Sequence, residues 1–139
     1  MAKYVLQKNT GIDSVDYRNG VIKTKNIFEK LKQNKKIFVE TGTRGAEGVE
    51  WAVKYFDKVI TVELDEHTFK TAQDAISRME GREKVTLIQG DSVEELPRML
   101  DGIDEPCFIY LDAHGDIDIT GPNPLYLELE TIKKHPIKT

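Results

Sequence analysis

Four short apolar runs, each closed by an acid, constrain this chain more than any other feature. They are Ile37-Phe38-Val39 before Glu40, Val59-Ile60-Thr61-Val62 before Glu63, Val85-Thr86-Leu87-Ile88 before Gly90-Asp91, and Cys107-Phe108-Ile109-Tyr110-Leu111 before Asp112. None alternates strictly between apolar and polar residues, as a strand with one wet face does. Continuous runs of this length mark strands buried on both faces, which is how parallel sheets are built. Stretches of helical period separate them. Val49, Ala52, Val53 and Phe56 share one helix face, and Phe69, Ala72, Ile76 and Met79 share another. Asp65 is placed to cap the second of these helices and Gly81 to end it. Ser92 with Glu95 reads as a capping box for a third helix, which carries Pro97. Pro122-Asn123-Pro124 starts a fourth, with Leu125, Leu129 and Ile132 on one side. Strand and helix thus alternate four times, and right-handed crossovers turn that order into an α/β, doubly wound parallel sheet with helices on both faces.

Residues 1–35 stand apart as an N-terminal loop and short helix (24–35), and residues 36–139 form the sheet domain, one domain overall. A chain of 139 residues can bury roughly two-thirds of its unfolded surface, enough for a core. The single cysteine, Cys107, leaves no disulfide framework or multi-cysteine zinc site, and a reducing, cytoplasmic setting is the expectation. No apolar run approaches the ~18–20 residues of a membrane span, and the first residues lack a signal-peptide core. Charge is uneven: residues 1–36 hold nine Lys/Arg and three Asp/Glu, and residues 37–139 hold eleven and twenty-one. The basic arm has no aromatic-basic interleaving or RNA motif, so no nucleic-acid partner is expected.

Glu40, Glu63, Asp91 and Asp112 are separated by 23, 28 and 21 residues, about one strand-helix unit each. They should line the carboxyl edge of the sheet, where open parallel sheets bind ligands. Helix capping accounts for such acids one at a time, Asp91 above all, but less readily for four of four. Gly42 and Gly45 allow close approach and positive φ between the first strand and its helix, whose free N–H groups suit a carboxylate or phosphate. Glu40 separates the candidate ligands: a fixed carboxylate beside that turn would repel a dinucleotide's pyrophosphate. S-adenosylmethionine fits better, with a cationic ammonium and sulfonium, a carboxylate for the turn, and two ribose hydroxyls for Glu63.

The stretches Phe38–Ala46 (F-V-E-T-G-T-R-G-A), Val59–Asp65 (V-I-T-V-E-L-D), Val85–Ser92 (V-T-L-I-Q-G-D-S) and Phe108–His114 (F-I-Y-L-D-A-H) resemble, in order and spacing, the first four motifs of class I S-adenosylmethionine-dependent methyltransferases. The closest flavour is the small-molecule O-methyltransferases, and the resemblance covers about residues 36–135. It implies a Rossmann-like fold and cofactor contacts from Glu40, Thr41, Gly42, Thr43, Gly45, Glu63, Leu64, Asp91, Ser92 and Asp112. The first three segments would hold the methionine part, the ribose and the adenine in turn. Many such enzymes have further glycines where this chain has Arg44 and Ala46, so the turn is a variant. Arg44 reads as solvent-facing, with pairing to the methionine carboxylate as the alternative.

The expected function is O-methylation of a small hydroxylated acceptor, with Asp112 and His114 as catalytic residues. His114 has the intrinsic pKa of a base near neutrality, and Asp112 orients the acceptor or takes its proton. A divalent metal held at Asp112 is the alternative activator and is not favoured; Asp116 and Asp118 are loop acids without an assigned role. Two other functions compete: a nicotinamide-binding oxidoreductase domain, which Glu40 opposes, and a non-catalytic or truncated nucleoside-cofactor-binding module. Trp51, Tyr55, Tyr126 and Cys107 read as packing residues, and His67 and His135 as helix-surface residues. The resemblance also implies seven strands, of which four are visible, in the order 3-2-1-4. The expectation is therefore a truncated piece, or a compact variant that covers its fourth-strand edge with residues 1–20 or by homo-oligomerisation.

Overall fold

A computed structural model describes residues 32–113 and 124–136 of the chain. Four parallel strands, β1 (Ile37–Thr41), β2 (Lys58–Glu63), β3 (Val85–Gln89) and β4 (Phe108–Leu111), form one sheet in the order β3-β2-β1-β4. The helices α1 (Glu47–Tyr55), α2 (Glu66–Ser77), α3 (Ser92–Leu100) and α4 (Pro124–Lys134) alternate with them, and a 3-10 turn, Arg82–Lys84, leads into β3. The α/β fold and parallel pairing are those expected from the apolar runs, and the strand order is the one the family resemblance implied. The helix of residues 24–35, and the acids Asp116 and Asp118, lie largely or wholly outside the described residues.

Strand alternation splits the core into two layers. Phe38 of β1 and Phe108 of β4 leave one face toward α1 and α2, where Trp51, Phe56, Val59, Ala72 and Ile76 are buried with them. Val39, Val62, Ile109 and Leu111 leave the other face toward α3 and α4, against Leu96, Met99, Leu100 and Ile132. Phe38 is fully buried and anchors an aromatic cluster, stacked on Phe108 at 5.7 Å and tilted to Phe56 at 5.3 Å. Such ring pairs contribute about 0.5–1.5 kcal/mol each beyond area burial. Trp51 and Cys107 are core residues, as expected.

Several local expectations are corrected. β3 is not buried on both faces: Thr86 and Gln89 are exposed and Val85, Leu87 and Ile88 only half-buried, because β3 is an edge strand and α3 lies over β1 and β2. The N-cap of α3 is Asp91, whose carboxylate accepts from Val93 N at 2.8 Å, and Ser92 is the first helical residue. Helix α2 ends at Ser77, so Gly81, at φ +93°, instead opens the 3-10 turn. Asp65 caps α2 through Thr68 N at 2.8 Å, as expected. Tyr126 is exposed, and Tyr55 is 45% exposed beside Trp51, so neither is a core residue. His135 is not a surface residue of α4: it lies half-buried just past the helix, its ring nitrogen 3.0 Å from the carbonyl of Leu100 at the end of α3.

Candidate functional site

At the carboxyl edge of the sheet, Glu63, the turn of residues 42–46 and Asp112 meet around the end of β1. Strand β1 pairs with β2 on one side and with β4 on the other. Successive crossovers therefore run in opposite directions from it, the arrangement that opens a ligand crevice in doubly wound sheets. Thr41 O accepts from Asp112 N at 2.9 Å, and Gly42 N donates to Val62 O at 2.8 Å. The turn after β1 is thus bonded to both neighbouring strands. Gly42, at φ +84°, has no room for a Cβ, which would overlap the Asp112 carbonyl and approach Ala113 N to 2.9 Å. That close approach explains this glycine.

Gly45 does not supply the second positive φ. The left-handed residues are Arg44 (φ 51°) and Ala46 (φ 69°), the two positions where the family resemblance leads one to expect glycine. The turn is left-handed at two residues that carry side chains, at a cost of order 1 kcal/mol per residue. The nearest atoms that a Cβ at Gly45 would meet belong to the Glu47 carboxylate.

Glu63 holds this turn in place. Its two carboxylate oxygens accept from Arg44 N at 2.8 Å and Asp65 N at 3.1 Å, and the residue is 8% exposed. Leu64, next to it, is 65% exposed. Asp112 lies half-buried at the end of β4, 3.6 Å from the Arg44 guanidinium. Arg44 is exposed, as expected, and also forms this ion pair. Asp91 is exposed at the start of α3, and Ser92 is buried. His114 lies outside the described residues.

Glu40 is where the sequence argument needs correction. Its carboxyl is 2% exposed and turned toward α1, not left open to the edge. The β1–β2 register sets Thr61 beside it, and the Thr61 hydroxyl donates to Oε1 at 2.8 Å. Thr43 and Thr61 hydroxyls meet at 2.6 Å, which links the buried acid to the turn. Burial pushes the Glu40 carboxyl up to about 8, the Thr61 hydrogen bond opposes this, and Asp112, Glu47 and Glu63 add to the rise. At pH 7 the group is mainly neutral, so it is not the fixed charge that would repel a pyrophosphate. Desolvation outweighs the expectation from the residue type.

Two site residues were not anticipated. Gly48, in the first turn of α1, has no space for a Cβ because the Glu40 carboxyl occupies it. A glycine inside a helical pattern is the available signal. Glu128 of α4 is fully buried, and neither carboxylate oxygen has a hydrogen-bond partner of good geometry among the described residues. Burial pushes its carboxyl above the usual range, tempered by the nearby Thr41 and Ser92 hydroxyls and reinforced by Asp91 and Asp112. Its sign in the sequence is an acid at the i+3 position of the apolar stripe Leu125, Leu129, Ile132. Glu40 and Glu128 thus flank the end of β1 on opposite faces of the sheet.

No family model matches the sequence, and no curated protein matches it. Solved structures do match in fold. The chain is similar to an O-methyltransferase from Bacillus cereus in complex with SAH (TM-score 0.60, 20% identity, 94% of this chain and 64% of that one). It is also similar to the O-methyltransferase TomG from Streptomyces achromogenes in complex with SAM (TM-score 0.60, 18% identity, 91% and 59%). A third match is the methyltransferase domain of bacterial CtHen1 (TM-score 0.61, 15% identity, 86% and 61%). This is the class I methyltransferase fold. The chain spans between 59% and 64% of the length of these three structures.

Within this methyltransferase fold no helix among the described residues is long and apolar enough to cross a membrane. Among the same residues no group of three or more His, Cys, Asp or Glu is placed to hold a metal ion.

Proposed function

We propose that the chain carries the S-adenosylmethionine site of a methyltransferase that O-methylates a small hydroxylated molecule. The observation that supports this most is Glu63. It is a nearly buried carboxylate at the end of the strand beside the crevice, fixed by two backbone N–H groups, in a fold whose solved examples carry SAH and SAM.

The donor set fits the cofactor. Each Glu63 oxygen keeps a lone pair after accepting one N–H, which suits the two hydroxyls of a ribose. Leu64 offers the adenine an apolar face, and Asp91 and Ser92 border it. Thr41, Gly42, Thr43 and Gly45 frame the methionine part, with Glu40 behind them through Thr61. When bound, S-adenosylmethionine supplies an activated methyl group on a sulfonium. The protein's task is then to aim the acceptor hydroxyl and take its proton. Alignment is worth ~7–11 kcal/mol of barrier. Asp112 orients the hydroxyl from the end of β4, and His114 two residues on takes the proton.

Calorimetry with S-adenosylmethionine, S-adenosylhomocysteine and NADH tests the reading. The first two should bind in the micromolar range usual for substrates, and NADH should not, because Glu47 and Glu50 in the first turn of α1 oppose a pyrophosphate at that helix start. Absence of heat with either sulfur nucleoside at millimolar concentration, or binding of NADH alone, overturns it.

A further inference from the structure

The turn that precedes α1 is poorly suited to hold an anion through its backbone. Acids occupy the first turn of α1 at Glu47 and Glu50, and the Glu47 carboxylate reaches back over Gly45. A ligand carboxylate brought to this helix start meets that negative charge, which offsets the favourable N–H groups. A cation is present instead. Arg44 is the only Lys or Arg in the described segments that directly follow the four strands (42–46, 64–65, 90–91 and 112–113).

Arg44 is also held in an unusual way. Its backbone is left-handed at φ 51°, its N–H is fixed by Glu63 Oε1 at 2.8 Å, and its guanidinium reaches to 3.6 Å from Asp112 Oδ1. One residue therefore joins the acid that ends β2 to the acid that follows β4, across the end of β1. At 3.6 Å the contact with Asp112 is an ion pair and not a hydrogen bond. The side chain is 57% exposed, so its guanidinium, beside Asp112 at the carboxyl edge, is open to a ligand. A planar guanidinium beside a crevice matches a carboxylate in bidentate geometry.

We propose that Arg44 is the specificity-determining residue for the amino-acid end of the cofactor and takes its α-carboxylate through the guanidinium. This rests on the cofactor reading above. Strain of the kind seen at φ 51° persists where surrounding structure fixes it, and it gathers at ligand clamps. Here Glu63 fixes the backbone and Asp112 restrains the head group, so the clamp is pre-oriented before the ligand arrives.

The test compares two ligands and two variants by calorimetry. S-adenosylhomocysteine has the amino-acid end; 5′-methylthioadenosine keeps the nucleoside and thioether and lacks it. Arg44→Gly suits the left-handed backbone, so the fold should survive, as melting by circular dichroism will check. The variant should bind S-adenosylhomocysteine roughly 10- to 100-fold more weakly, the range for a lost charged hydrogen bond, with 5′-methylthioadenosine unchanged. Arg44→Lys should fall between, since it keeps the charge and loses the fork. Equal weakening of both ligands, or no change for S-adenosylhomocysteine, overturns the assignment while leaving the cofactor reading intact. Failure of the unaltered protein to bind either nucleoside removes both.

Discussion

Glu40 shows how one residue changes meaning when it is buried. As a charge at the end of a strand it looks like a ligand contact; enclosed by Thr61 and Gly48 it is a mainly neutral group behind the turn. Its folded pKa, about 8, lies above the ordinary 4.5, so the folded state binds the proton more tightly than the unfolded chain. Stability from this group is intact below about 4.5 and is lost as pH rises toward 8 and beyond, on the order of 5 kcal/mol at full ionisation. Glu40→Gln keeps an acceptor for Thr61 and removes the titration. Denaturant unfolding should show the variant gaining on the unaltered protein between pH 5 and pH 8; parallel curves would refute the buried-acid account. Gly48→Ala gives a second readout by its sign. In an ordinary helix interior this change stabilises by about 0.5–1 kcal/mol. Here it displaces a hydrogen-bonded carboxyl and should cost roughly 1–3 kcal/mol. The residue types at the edge were legible in the sequence, but the direction in which each carboxyl points was not, because partners such as Thr61 and Gly48 come from other elements.

At the scale of elements, α3 meets the edge with two adjacent residues in different roles. Asp91 is the N-cap and its carboxylate is engaged by Val93 N; Ser92 is buried beside Glu128 of α4. Asp91→Ala should cost about 1 kcal/mol in stability from the lost cap. If Asp91 also borders the adenine, the affinity for S-adenosylhomocysteine should fall as well. Measuring melting and binding on the same variant separates the two duties: a stability loss with unchanged affinity leaves Asp91 as a cap alone. The helices and strands were readable because their periodicities are local. The misplaced cap and the half-exposed β3 were not, since one turns on a one-residue difference in backbone geometry and the other on which helix covers which strand.

For the whole molecule, a ligand that binds only the folded state adds stability by mass action. S-adenosylmethionine at 100 times its dissociation constant should contribute about 2.7 kcal/mol, a rise in melting temperature on the order of 5–10 °C for a domain of this size. A melting temperature that does not move with cofactor would contradict the proposed site. The sequence by itself determined the α/β class and which acids follow the strands, because period and spacing dictate a parallel sheet with few alternatives; the strand order was legible only through the family resemblance. Tertiary structure alone decided that Glu40 is enclosed, that Glu63 fixes the turn, that Glu128 is buried behind β1, and that Arg44 reaches Asp112. Those outcomes depend on strand register and on which side chains converge from distant segments, and burial then resets the charge that each acid carries.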